Sequence, residues 1–211
     1  MSKLLNVSSS PHVRCGVSTK NLMYDVAIAM LPATIWGVMQ FGIYSLIVVV
    51  ATVLSCVLSE YLFETLMHKP VTISDGSALV TGMILGLNMP PAIPLWMPIL
   101  GGVFAIIVVK QLYGGLGQNW MNPALAARCF MLISFAQAMT KFTDPVTDAV
   151  ASATPLAAIK AGDTYDLAAM FIGKIPGTIG EVSVIALLIG AAYLLVKKVI
   201  TIRIPAAYIL S

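Results

Sequence analysis

The stretch that most constrains this chain is Phe41 to Met67, in which Ser45-Leu46-Ile47-Val48-Val49-Val50-Ala51-Thr52-Val53-Leu54 runs without a charge. A run of that length can cross the ~30 Å hydrocarbon core of a bilayer as one α-helix, because a helix satisfies its own backbone donors and acceptors where no water can. The rest of the sequence follows suit: 59% of its 211 residues are hydrophobic and only 10% are charged, against about 25% charged in average globular chains. Lipid is therefore the expected solvent. The net charge of +3 is small and its lysines and arginines are scattered between apolar runs, which reads as topology signals and not as a nucleic-acid surface.

In order, residues 1–21 read as a polar arm carrying Lys3, Arg14 and Lys20, and the positive-inside rule puts that arm in the cytoplasm. No cleavable leader is visible in it. A first span follows over Leu22 to Gln40, flawed by Asp25 and Pro32, then the span Phe41 to Met67. Glu60 and Glu64 near its end share a helix face at i,i+4 spacing and read most simply as a solvated helix end. After His68 and Lys69, the polar run Val71 to Ala78 precedes a short apolar segment, Leu79 to Met89, closed by Pro90-Pro91. That segment is too short for a full span and has the composition of the half-helices that line binding sites inside membrane proteins. Leu95 to Val109 makes the next span, ending at Lys110.

A second interrupted element begins at Gly114-Gly115-Leu116-Gly117-Gln118-Asn119 and passes through Asn122-Pro123, a good helix start, into an apolar helix reaching about Ala138. Arg128 lies in its first turns, where insertion costs ~2.5–3.5 kcal/mol, so a partner or an anionic ligand is expected. Residues 141–178 form the one long polar interval, residues 179–196 span again to Lys197-Lys198, and Val199 to Ser211 is too short to cross, as if the membrane region continued in a longer protein. The organisation is thus an arm (1–21), membrane helices with two interruptions (22–140), a loop (141–178) and a further membrane segment (179–211). With Lys20 inside, and with residues 79–89 counted as a crossing, Lys69, Lys110 and Lys197-Lys198 all return to the cytoplasmic side and the 141–178 loop lies outside. Cys56 and Cys129 read as small buried hydrophobes and Cys15 as nearer the surface. With His12 and His68 they are too scattered for a zinc or iron–sulfur site.

Within the loop, Ser152-Ala153-Thr154-Pro155-Leu156 is a helix N-terminus with Thr154 as cap and Pro155 in the first turn. An exposed hydroxyl there also suits a phosphate ester, which free backbone N–H groups would stabilise. The two readings are compatible.

Several separated motifs then carry a resemblance: Ser8-Ser9-Ser10-Pro11-His12, the run Ser74-Asp75-Gly76-Ser77 through Gly82, and Gly114 to Asn119 continuing to Asn122-Pro123-Ala124. Together they resemble the D subunit of the Rnf ion-translocating electron-transport complex and, more distantly, the B subunit of the sodium-translocating NADH:quinone reductase. The resemblance runs through essentially the whole chain. It implies an all-α polytopic membrane protein, here the first half and the start of the second of an architecture of about ten helices related by an inverted repeat. It implies FMN linked through its phosphate to a threonine, in a motif of Asp, then Ser or Thr, then Gly-Ala-Thr. Asp148, Ala153 and Thr154 match it, while Ala151 replaces the Ser or Thr and Ser152 replaces the glycine. Both replacements are small, so access to the hydroxyl is kept.

The implied role is a membrane component of a ferredoxin:NAD⁺ oxidoreductase that exports Na⁺ or H⁺, an enzyme only as part of its complex. Iron–sulfur and flavin subunits would be its partners, and it would sit in the cell inner membrane with Thr154 on the outer face. Asn119, Asn122 and Arg128 are expected to line a second, non-covalent flavin site or an ion site. Asp25, Glu60 and Asp75 are candidates for the ion path, because ionisable groups at membrane depth are functional suspects. A channel, carrier or scaffold without redox role would share the broken helices and use Thr154 only as a cap. A membrane hydrolase is disfavoured by the lack of a Gly-x-Ser-x-Gly element.

Overall fold

In the computed structural model, the described residues are 18–143, 150–151, 160 and 167–210. Most of them are helical. Helix α1 (Thr19–Phe41) is capped by the Ser18 hydroxyl and runs through Pro32, and Gly42, at φ 80°, turns the chain directly into α2 (Ile43–Leu66). After a 3₁₀ turn (Ile73–Asp75) come α3 (Ser77–Leu87) and α4 (Trp96–Phe104), the latter continuing as a π-helical segment (Ala105–Lys110) and a 3₁₀ turn (Gln111–Tyr113). Then follow α5 (Pro123–Ser134), α6 (Ala136–Met139), a two-residue antiparallel ladder of β1 (Phe142–Thr143) and β2 (Val150–Ala151), α7 (Leu167–Ile172), α8 (Val184–Val196) and α9 (Arg203–Leu210). Among the described residues, three helices are long and apolar enough to cross a membrane: Thr19–Phe41, Ile43–Leu66 and Trp96–Tyr113.

Helix α2 shows why this chain suits lipid. Its outward stripe is Ile47, Val50, Leu54, Leu58 and Leu62, while its buried stripe includes Ser45, Thr52, Ser55, Ser59, Glu60 and Glu64. Water would demand the reverse arrangement; in lipid the greasy face needs no cover and the polar face does. Cys129 is likewise exposed, not buried as expected, because its position on α5 faces out of the bundle, where a small apolar side chain suits a lipid contact as well as a core.

Two contacts fix the two ends of the bundle. At what we call the near end, the Thr72 backbone N–H donates to Glu64 Oε2 at 2.9 Å; at the far end, Tyr44 Oη donates to the Ile93 carbonyl at 2.9 Å. Tyr44 and Glu64 are ~30 Å apart along α2 at 1.5 Å per residue, so the chain from Thr72 to Ile93 runs the length of α2. It does so with only 11 helical residues in α3, roughly 16 Å, followed by irregular backbone over 88–95. The interruption expected there is real. Its polar groups are met by a second irregular segment: Ile179 N–H donates to the Met89 carbonyl at 3.1 Å and Gly180 N–H to the Leu87 carbonyl at 2.8 Å. Non-helical backbone persists inside the span because each segment satisfies the other.

Close approach of α3 to α2 depends on Gly82 and Gly86, a small-xxx-small pair whose missing side chains let the two backbones touch. A Cβ at Gly82 would lie 2.6 Å from Val53 Cα, and one at Gly86 3.0 Å from Val49 Cα. Aromatic side chains gather at both ends, Tyr113 and Trp120 at the near end and Trp96 and Phe135 at the far end, in the manner of interfacial belts.

Candidate functional site

The densest polar structure in the described residues lies inside the bundle, toward its near end. Glu60 and Glu64 project from the buried face of α2, with exposures of 0% and 2%. The expectation of a solvated helix end is therefore overturned: the i,i+4 face they share points into the bundle, and other elements are built to meet it. Opposite them, Lys110 closes the π-helical segment and Gln111 opens the 3₁₀ turn. Both lie inside, at 2% and 3% exposure, where the π-helical segment meets the 3₁₀ turn, the kind of irregularity that recurs at functional sites.

Both then converge on one oxygen. Lys110 Nζ is 2.6 Å from Glu60 Oε1, and Gln111 Nε2 donates to the same Oε1 at 2.7 Å and to Glu64 Oε1 at 3.3 Å. Glu64 also accepts from the Thr72 hydroxyl. Lys110 Nζ donates a second bond, at 2.5 Å, to Ser77 Oγ, which in turn donates at 2.6 Å to Asp75 Oδ1. Asp75 further accepts from the Ser77 backbone N–H at 2.8 Å, at the start of α3. The other oxygen of Glu60, Oε2, is buried without a hydrogen-bond partner. The cluster thus holds three carboxylates against one buried ammonium, and Lys69 approaches only its rim, at 3.5 Å from the Gln111 carbonyl.

A cavity of ≈ 370 Å³ adjoins the cluster, lined by Ser77, Thr81, Lys110, Leu116, Asn119 and Asn122 among others. Asn122 caps α5 by accepting from the N–H groups of Ala124 and Leu125 at 3.0 and 3.3 Å, and Asn119 donates to the Met121 carbonyl at 2.8 Å. The capping bonds use Asn122 Oδ1 and the turn bond uses Asn119 Nδ2, so the remaining amide donor of Asn122 and acceptor of Asn119 are the groups left over for a ligand. The turn leading there needs its glycines, since Gly114, Gly115 and Gly117 all have positive φ.

The other expected site residues lie elsewhere. Arg128 does not line this cavity with Asn119 and Asn122. It donates to Asn88 Oδ1 and, at 3.0 Å, to Glu181 Oε1, beside the paired irregular segments, which supplies the partner that an arginine at this depth requires. Asp25 is also separate: it accepts from Tyr193 Oη at 2.8 Å and lies 3.7 Å from Lys197 Nζ, tying α1 to α8. Asp148, Ser152, Ala153 and Thr154 lie outside the described residues. Lys141, just ahead of β1, lines a far-end cavity of ≈ 590 Å³ with Phe135, Gln137, Ile93 and Met97.

Sequence reasoning missed Lys110, Gln111, Ser77 and Thr72 as members of one site. Lys110 reads along the chain as a topology charge; the available signal was an unbalanced pair of glutamates in a preceding apolar span.

The profile of the NQR2, RnfD, RnfE family matches residues 6–211. The chain belongs to this family. Among its relatives in the family, the D subunit of the Na(+)-translocating ferredoxin:NAD(+) oxidoreductase complex of Acetobacterium woodii is 47% identical over 98% of this chain and 67% of its own length. The D subunit of the proton-translocating ferredoxin:NAD(+) oxidoreductase complex of Clostridium ljungdahlii is 40% identical over 98% of this chain and 66% of its own. The D subunit of the ion-translocating oxidoreductase complex of Rhodobacter capsulatus is 32% identical over 94% and 65%. The chain spans about two thirds of the length of these relatives. Two of them are named for different ions, Na(+) and the proton, so membership in the family leaves the coupling ion open.

Proposed function

We propose that this chain is the D-type membrane component of an ion-pumping ferredoxin:NAD⁺ oxidoreductase, with FMN esterified through its phosphate to Thr154 on the outer face of the cell inner membrane. The observation that carries the reading is family membership over nearly the whole chain, joined to close relatives named as the D subunits of such complexes. Its partners would be the iron–sulfur and flavin subunits of the complex. When bound, FMN supplies the ability to take electrons in pairs or singly, and the protein supplies position and electrostatics.

Two cavities among the described residues have the size for such a group. The far-end cavity of ≈ 590 Å³ opens where the chain enters the 141–178 loop, and its size is within the ~300–1,000 Å³ of ordinary ligand sites. The near-end cavity of ≈ 370 Å³ offers the free amide donor of Asn122 and acceptor of Asn119, groups suited to the polar edge of a second, non-covalent flavin. Glu60 and Asp75, joined through Lys110 and Ser77, form the ion-handling part of the protein; Asp25 joins α1 to α8 and contributes to the fold. A solute carrier without redox role would share the broken helices, and the presence of flavin separates the two.

The deciding experiment is peptide mass spectrometry on protein from cells with an active flavin transferase, with in-gel flavin fluorescence. An FMN-sized adduct on the Thr154 peptide, lost in Thr154→Ala, is the expected result. An unmodified Thr154 peptide in that background would overturn the covalent relay and favour the carrier or scaffold.

A further inference from the structure

The near-end cluster has an imbalance that its own hydrogen bonds leave in place. Glu60, Glu64 and Asp75 are three acids facing one buried ammonium, and Glu60 turns one carboxylate oxygen to Lys110 and Gln111 while Oε2, fully buried, meets nothing. A buried carboxylate oxygen without a donor is costly, and a cation is the group that removes the cost. Glu60 offers one unpartnered oxygen, too few open ligand positions for a divalent ion such as Ca²⁺ or Mg²⁺, so a small monovalent cation, Na⁺ or H⁺, fits it better.

The ammonium already there has a second place to go. Lys110 Nζ bonds Glu60 at 2.6 Å and Ser77 Oγ at 2.5 Å, and Ser77 passes the contact on to Asp75 at 2.6 Å. Ser77 Oγ already lies within bonding distance of Lys110 Nζ, so the shift asks little of the flexible four-carbon stem. One lysine therefore sits between two acids, with a hydroxyl as the bridge.

We infer that Lys110 is a tethered competitor for the cation taken up at Glu60. With Lys110 drawn to Glu60, the site excludes the cation; with Lys110 shifted toward Ser77 and Asp75, Glu60 is free to bind it. The inference rests on the reading of this cluster as part of the ion path. The charged groups around Glu60 are Glu64 on the same helix, Asp75 on the 3₁₀ turn, Lys110 on the π-helical segment and Lys69 at the rim. Of these, only Lys110 donates to Glu60 directly.

The test uses the full-length chain in its purified complex, reconstituted in liposomes. Electron-transfer rate and ion uptake are measured against Na⁺ at fixed pH and against pH at fixed Na⁺, for wild type, Lys110→Met, Lys110→Arg and Glu60→Gln. Removing the competitor in Lys110→Met lowers the half-saturating cation concentration by tenfold or more and lowers the maximal rate, because release slows. Lys110→Arg, whose planar fork grips the carboxylate more firmly, raises it. The titration that shifts identifies the cation. Half-saturation unchanged within about twofold in both titrations, or moved in the same direction by both variants, overturns the competition. If Lys110→Met does not accumulate, Lys110→Arg alone decides, by a rise or its absence. Ion coupling that survives Glu60→Gln sinks the parent reading of the cluster, whereas coupling lost in Glu60→Gln with unshifted Lys110 variants sinks only the competition.

Discussion

Gly82 is the position where the smallest change to the chain has the largest structural consequence. Its substitution by alanine adds one methyl, which would lie 2.6 Å from Val53 Cα, 3.2 Å from Val53 Cγ2 and 3.2 Å from the Val53 nitrogen. Carbon atoms rest at ~3.5–4.0 Å, so α3 and α2 must separate by about 1 Å to accept it. Overpacking of this kind destabilises by ~1–3 kcal/mol, and the upper half of that range applies because two of the three atoms met are backbone and have no rotamer to change. The displacement also pulls Ser77, one turn and a half earlier on α3, from its 2.5 Å bond to Lys110. Gly86→Ala, whose added methyl would stand 3.0 Å from Val49 Cα, has a smaller effect. Denaturant-driven unfolding in detergent micelles, read by helix content, should rank wild type above Gly86→Ala and Gly86→Ala above Gly82→Ala. Adding Val53→Ala to Gly82→Ala should recover little, since it removes Cγ2 and leaves Cα in place. A Gly82→Ala protein as stable as wild type, or one fully rescued by Val53→Ala, would refute the claim that backbone contact sets the spacing of these helices.

Two further expectations concern the site. Unfolding measured on the same footing should show Glu60→Gln and Lys110→Met each destabilising by ~3–5 kcal/mol, as expected when one partner of a buried pair is removed, while the double variant lies close to wild type. Additive losses in the double variant would refute the coupling. Asn122→Ala removes the two capping bonds of α5 and should destabilise by about 1 kcal/mol; equal stability of Asn122→Gly, a tolerated cap, separates lost capping from lost packing.

How much of this was legible in the sequence depends on whether the signal was local. The apolar runs gave α1, α2 and the helix starting at Trp96 within a few residues, because in lipid a span's length and lack of charge are sufficient evidence. Asn122-Pro123 announced its helix for an equally local reason, a side-chain cap followed by a residue that needs no N–H. The shortness of α3 was visible too, since its eleven helical residues lie between Gly76 and Pro90-Pro91. What could not be read was the destination of the charges. Glu60 and Glu64 have the spacing of a solvated helix end, and Lys110 the position of a topology marker, until α3 and α4 pack beside α2 and bring them together. The grouping of Asn119 and Asn122 was legible because a short turn joins them. The separation of Arg128 from them was not, because its partners, Asn88 and Glu181, come from distant parts of the chain.

The cluster's composition argues against a purely stabilising role. Well-packed apolar residues in place of a buried ion pair are often neutral or stabilising, by ~1–4 kcal/mol, and lipid offers no water to soften the desolvation of Glu60 or Lys110. A chain needing only a tight α2–α3–α4 bundle already has one in the glycine contacts and the apolar core around Leu85, Ile93 and Met131. Here, by contrast, Lys110 and Gln111 face inward at the junction of a π-helical segment and a 3₁₀ turn, and Gly82 brings α3 close enough for Ser77 to bridge Lys110 and Asp75. Both irregularities serve one result: a lysine shared between two acids, with a carboxylate oxygen left over. On the competition inferred above, a cation binding at Glu60 favours the position of Lys110 nearer Ser77 and Asp75. That is the property an ion-coupled membrane protein needs at this depth and a structural core does not.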